Sequence, residues 1–82
     1  MPKKMDEVAR RSIGSRIKAV RAISGLTQDE FSRVIHTAVP TCSNYELGKR
    51  ELPISVALVM NAELGVSIPW LITGQGEMME GQ

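Results

Sequence analysis

The feature that most constrains this sequence is a helix that is interrupted and restarted within the stretch TQDEFSRVIHTAVPTCSNYELGKR, Thr27 to Arg50. Thr27 is followed three residues later by Glu30, a capping box in which hydroxyl and carboxylate satisfy orphan amides at a helix start. From there Phe31, Val34 and Ile35 recur at spacings of three and four, which predicts one apolar helix face and leaves Asp29, Ser32 and Arg33 to solvent. His36, Thr37 and Ala38 favour a break, and Pro40, which has no amide to give, is best placed in the first turn of a new helix. A second helix is therefore predicted from about Val39. It carries Cys42 and Tyr45 inward and Thr41, Ser43 and Asn44 outward, and it stops at Gly48, which supplies a left-handed residue. Lys49 and Arg50 follow at once.

Two short helices across a tight turn, the second bearing small polar side chains and ending in a basic pair, suit a DNA major groove. The plainer alternative is a helical bundle whose pair touches only its own core. In three segments the sequence resembles the helix-turn-helix family of the lambda repressor and Cro, the xenobiotic-response-element type: RIKAVRAISGLTQDEF, SNYELGKRELP and LGVSIPWLITGQG, in that order. Together they extend over about Gly14 to Gly76. The resemblance implies an all-α, five-helix lambda-repressor-like DNA-binding domain, with the helix-turn-helix formed by helices 2 and 3 and the third as recognition helix. Residues 12–76 are expected to be that domain, residues 1–11 a flexible N-terminal arm and residues 77–82 a C-terminal tail.

Eighty-two residues permit one modest core,. An apolar content of 43% with one Phe, one Trp and one Tyr suits an aliphatic helical bundle,. The single cysteine cannot form an internal disulfide. With no signal-peptide pattern and no apolar run near ~18 residues, a cytoplasmic protein with no membrane partner is expected. The net charge of +1 conceals a segregation: all ten Lys and Arg precede residue 51, against five acids there, while residues 51–82 hold four acids and no base. The first part is thus +5 and the second −4. A basic half can meet phosphate while an acidic half limits non-specific sticking.

In the arm, Lys3, Lys4, Arg10 and Arg11 either reach along a duplex or are simply solvated. The first helix is predicted from about Ser12 to Ser24, with Ile13, Ile17, Val20 and Ile23 or Ser24 on its inner stripe and Gly25 ending it. Arg16, Lys18 and Arg21 lie on the other side. The resemblance implies an ion pair between Arg21 and Glu46 of the recognition helix; an acid on a basic surface would otherwise repel phosphate. Leu26 is expected to pack beneath the helix pair, and Gln28 to clamp a phosphate at a helix N-terminus.

His36, Ala38, Val39 and Pro40 stand where the family usually has a turn glycine, a Ser or Thr cap and two polar readers, which reduces the vocabulary for direct readout. Val39 and Pro40 offer apolar contact and shape, and Thr41 and Asn44 are the polar base readers, Asn44 suited to adenine. Expected phosphate contacts are Arg16, Gln28, Ser43, Lys49 and Arg50. His36 has no second histidine, so no metal site, cofactor, small-molecule ligand or catalytic constellation is expected.

Leu52 and Pro53 lead into a fourth helix, about Ser55 to Leu64, which is apolar nearly all round and so is either deep in the core or shared with another molecule. Gly65 closes it. Ser67 caps a fifth helix with Pro69 in its first turn and Gly74 as stop. Val59, Trp70 and Leu71 are candidates for a dimer interface. The expected function is sequence-specific DNA binding as a homodimer on a palindromic operator, with repression of transcription. The alternative is a protein-interaction module on the same scaffold, of the antitoxin or antirepressor type.

Overall fold

The computed structural model describes residues 6–81. Met1 to Met5, with Lys3 and Lys4 of the expected arm, and Gln82 lie outside the described residues. Five helices follow in order: α1 (Glu7–Ile23), α2 (Gln28–Val34), α3 (Val39–Leu47), α4 (Ile54–Leu64) and α5 (Ile68–Thr73). Among the described residues the only β pairing is an isolated bridge between Val66 and Met79.

Helix α1 starts at Glu7, ahead of the expected Ser12, so Glu7 to Arg11 are helical rather than part of an arm. Two local interactions account for the earlier start. The Asp6 carboxylate accepts from the Ala9 amide at 2.8 Å, and Glu7 pairs with Arg11 one turn on, also at 2.8 Å. Such a cap is worth about 1 kcal/mol. The inner stripe is Ile13, Ile17 and Val20, all buried; Ile23, one candidate for its end, is 66% exposed.

In α2 the capping box is complete: Thr27 Oγ1 accepts from the Glu30 amide at 3.1 Å, and Glu30 Oε1 accepts from the Thr27 amide at 2.9 Å. Phe31 and Ile35 are buried and Val34 packs against the core. Ser32 corrects the expectation of a wet residue. It is 2% exposed, and its hydroxyl donates to the Asp29 carbonyl at 2.7 Å, which meets its bonding need inside the fold,. The break between the helices is made by His36, whose φ of +59° is the one positive value at a non-glycine among the described residues.

The core joins the α1 stripe to Phe31, Tyr45, Met60 and Leu71, one or more residues from every helix. Each fully buried aliphatic or aromatic chain contributes about 1.5–3 kcal/mol relative to exposure. Helix α3 lies closest to α1, and Gly14 makes this possible: a Cβ there would stand 2.6 Å from the carbonyl oxygens of both Tyr45 and Glu46. Capping by the Ser67 hydroxyl starts α5, accepting from the Trp70 amide at 3.3 Å, and Gly74 ends it at φ +81°.

The chain after α5 folds back. The Ser67 amide donates to the Met78 carbonyl and the Glu80 amide to the Gly65 carbonyl, both at 2.7 Å, while Met78 and Met79 pack on the core.

Candidate nucleic-acid interface

The turn sets α3. Pro40 occupies its first turn, and Ala38, at the N-cap, contributes no side-chain bond. Gly48 closes the helix at φ +75°. Cys42, Tyr45 and Glu46 face inward, so Pro40, Ser43, Asn44 and Leu47, recurring at three and four, form the opposite face,. Thr41 and Val39 sit on its flanks, half-buried. Leu47, which the sequence reading did not single out, is 53% exposed there. Its signal was the same periodicity, one turn beyond Ser43.

What fixes the orientation of this helix is Glu46, a carboxylate only 8% exposed. Arg21 of α1 grips it with two nitrogens: Nε at 2.6 Å from Oε2 and Nη2 at 3.1 Å from Oε1. A third donor is the Gln28 side-chain amide of α2, 3.1 Å from Oε1. The same guanidinium donates through Nη1 to the Leu26 carbonyl at 3.1 Å. One buried acid thereby ties three helices together in a bidentate, charge-assisted arrangement. The hydrogen bond to Glu46 holds the Arg21 guanidinium further above its ordinary range. The Cys42 thiol lies 3.9 Å from Glu46 Oε2, and burial, followed by the Glu46 charge, pushes it up to about 11. It is an inert thiol at neutral pH.

One basic hollow borders α3 and a second is formed by the residues that follow it. The first, of about 390 Å³, runs between α1 and α3, lined by Arg11, Ser15, Lys18, Arg21, Gln28, Ser43, Glu46 and Leu47. The other, of about 320 Å³, is lined by Arg10, Lys49, Arg50 and Glu51. Arg10 braces it by donating from Nε to the Gly48 carbonyl at 3.1 Å. The structure thus brings Gln28, Ser43, Lys49 and Arg50 together around the α3 face and adds Arg11, Ser15 and Lys18 to them. Of these, the sequence alone places Arg11 only in an arm and Lys18 only on the outward side of α1, because their nearness to α3 depends on how the two helices pack.

Two expectations are corrected. Arg16 does not belong to this surface: its Nε donates to the Leu71 carbonyl at 2.7 Å and its Nη2 to the Ile72 carbonyl at 3.0 Å, so it satisfies the open end of α5,. Leu71 is fully buried and cannot meet a second molecule. Of the other two candidates for a dimer interface, Val59 is half-buried and Trp70 packs partly against the core.

The sequence matches the helix-turn-helix family over residues 17–71, from the middle of α1 into α5. The chain belongs to the lambda repressor/Cro-like helix-turn-helix family. This is a family of DNA-binding regulators, and its helix pair is the α2 and α3 described above. Among solved structures, this helix-turn-helix chain is similar to the clp gene regulator ClgR from C. glutamicum. The TM-score is 0.70 over 84% of this chain and 86% of that one, at 20% identity, so the likeness is one of fold. No helix among the described residues of this helix-turn-helix protein is long and apolar enough to cross a membrane.

Proposed function

We propose that this protein is a sequence-specific transcriptional regulator of the cytoplasm that binds a palindromic operator as a homodimer and represses by occlusion. The observation that carries the reading is the α3 face, held from behind by Glu46, with one basic hollow beside it and a second formed just past its C-terminal end. In this arrangement α3 enters the major groove, with Asn44 and Thr41 toward base edges and Val39 and Pro40 in apolar contact. Lys49, Arg50, Ser43 and Gln28, joined by Arg11 and Lys18, meet phosphates. The second N–H of the Gln28 amide remains for that purpose while the first holds Glu46.

Dimerisation follows from the energetics. Two polar readers at about 1–3 kcal/mol each discriminate too little for a genomic site, and two half-sites one helical turn apart roughly double the sum. Exposed aliphatic residues on the acidic half support dimerisation: Ile54 and Leu58, one turn apart on α4, and Ile72 on α5 are 65%, 54% and 40% exposed. A second reading, contact with a protein, is favoured by one observation: Pro40 and Leu47 are both apolar and exposed on the α3 face.

Selection from a random duplex pool at physiological salt, followed by footprinting of the winner, tests the proposal. A palindrome with half-sites about one turn apart, and an affinity that falls steeply with salt, is the expected result. Arg50→Ala is expected to lower the salt slope by about 1 without changing the selected sequence. A folded protein that enriches no sequence, and whose interactions depend on Pro40 and Leu47 rather than on Arg50, would overturn it in favour of the protein contact.

A further inference from the structure

We infer that Pro40 and Leu47 select thymine methyl groups, so that each half-site carries two thymines about three base pairs apart, bracketing the base read by Asn44. The inference rests on the DNA-binding reading above and deepens it. The outward line of α3 alternates in character: Pro40 at its start, Ser43 and Asn44 in the middle, Leu47 at its end, with both apolar members exposed. Leu47 is unlike the other exposed aliphatics, because it forms part of the wall of a hollow together with Arg11, Lys18 and Arg21. A leucine among cations gains nothing from water or from phosphate.

Charge decides the kind of partner that meets this surface, since the cations beside Leu47 and those of the Lys49 and Arg50 hollow favour a polyanion,. The apolar group that duplex DNA presents on its major-groove edge is the C5-methyl of thymine. Burying Leu47 or Pro40 against any other base edge would desolvate donors and acceptors that neither can satisfy. Seven residues separate the two, which at 1.5 Å per residue is about 10 Å along the helix, or about three base-pair steps of 3.4 Å. Asn44 lies between them in sequence, and its side-chain amide can pair bidentately with an adenine.

The test uses the duplex selected by the full chain, with each thymine of one half-site replaced in turn by deoxyuridine, which differs only by the missing methyl. Two replacements about three base pairs apart are expected to weaken binding roughly fourfold each, the factor that follows from about 0.8 kcal/mol per buried methyl. The Leu47→Ala variant should be insensitive to one of them and Pro40→Ser to the other, while both keep the same salt slope. Should either variant fail to fold, the deoxyuridine series on the unaltered protein still decides. Equal affinity for thymine and deoxyuridine at every position, or selected half-sites with G·C at both, would overturn the inference. In that case specific, salt-dependent binding would persist and the regulator reading would stand. A failure to enrich any duplex removes that reading and this inference with it.

Discussion

Replacing Gly14 by alanine probes the contact on which the placement of the recognition helix depends. In an exposed helix interior Gly→Ala stabilises by about 1 kcal/mol, because alanine has less backbone freedom to lose. Here the new methyl would stand 2.6 Å from the carbonyl oxygens of Tyr45 and Glu46. Reaching ordinary van der Waals distance requires α3 to recede by roughly 0.8 Å. Both obstructing atoms belong to one helical backbone, so no side-chain rotation relieves them. Overpacking of this kind costs about 1–3 kcal/mol, and with rigid carbonyls on both contacts the upper part of that range applies. After the gain in helix propensity, the net loss is about 1–2 kcal/mol. For a domain of this size that lowers Tm by roughly 5–15 °C. Urea and thermal unfolding followed by circular dichroism measure it, with Ser15→Ala, an exposed neighbour on the same helix, as the control expected to be neutral or slightly stabilising. A Gly14→Ala protein as stable as the parent would refute the close packing of α1 on α3. DNA affinity should fall further than stability alone accounts for, since a receding α3 stretches the Arg21 to Glu46 bonds.

Glu46→Ala leaves the Arg21 guanidinium and the Gln28 amide without their acceptor and should cost about 3 kcal/mol in urea unfolding. The Arg21→Ala, Glu46→Ala double variant should recover part of that loss, and strict additivity would show that the two do not act as a unit. Cys42 predicts an alkaline signature: its thiol stands at about 11 in the fold against an ordinary 9.0, so the folded state retains the proton longer. The associated stability is complete below pH 9, declines between 9 and 11, and amounts to about 2–3 kcal/mol. Unfolding at pH 8 and pH 10.5 should therefore show a steeper fall for the parent than for Cys42→Ala, and equal slopes would contradict the burial. His36→Gly relieves a left-handed residue that costs about 1–2 kcal/mol, offset in part by the freer unfolded chain. A Tm raised by a few degrees is expected, and a lowered one would mean that the imidazole has an undetected role.

Much of the fold was legible because its boundaries are set by neighbours in sequence. Thr27 with Glu30, Pro40 near a helix start, and Gly48 or Gly74 at φ near +80° act within one turn, where spacing alone determines the outcome. What escaped the sequence depends on partners far along the chain. Arg16 looks like any exposed cation until the end of α5, 55 residues on, is brought beside it. Gly14 looks like a weak point in a helix until another backbone is seen against it. The tail from Met78 to Glu80 has no pattern of its own, and its pairing with Gly65 to Ser67 exists only once α4 and α5 are docked. At the site, the inward and outward faces of α3 could be read from period, and Leu47 falls on the outward one by the same spacing,.

The division of labour within α3 also bears on how such a protein diversifies. Orientation resides in Cys42, Tyr45 and Glu46, which are buried, whereas Pro40 and Leu47 are exposed, Ser43 and Asn44 are half-buried, and none of the four belongs to the core. Substitutions outside the core usually change stability by no more than about 0.5 kcal/mol, although Pro40 also occupies the first turn of the helix,. The outward face is therefore a surface on which recognition can be rewritten one residue at a time, with the scaffold indifferent to the change. A library randomised at Ser43, Asn44 and Leu47 with proline excluded should remain mostly folded, and a new specificity is a shorter mutational walk from this sequence than a new fold.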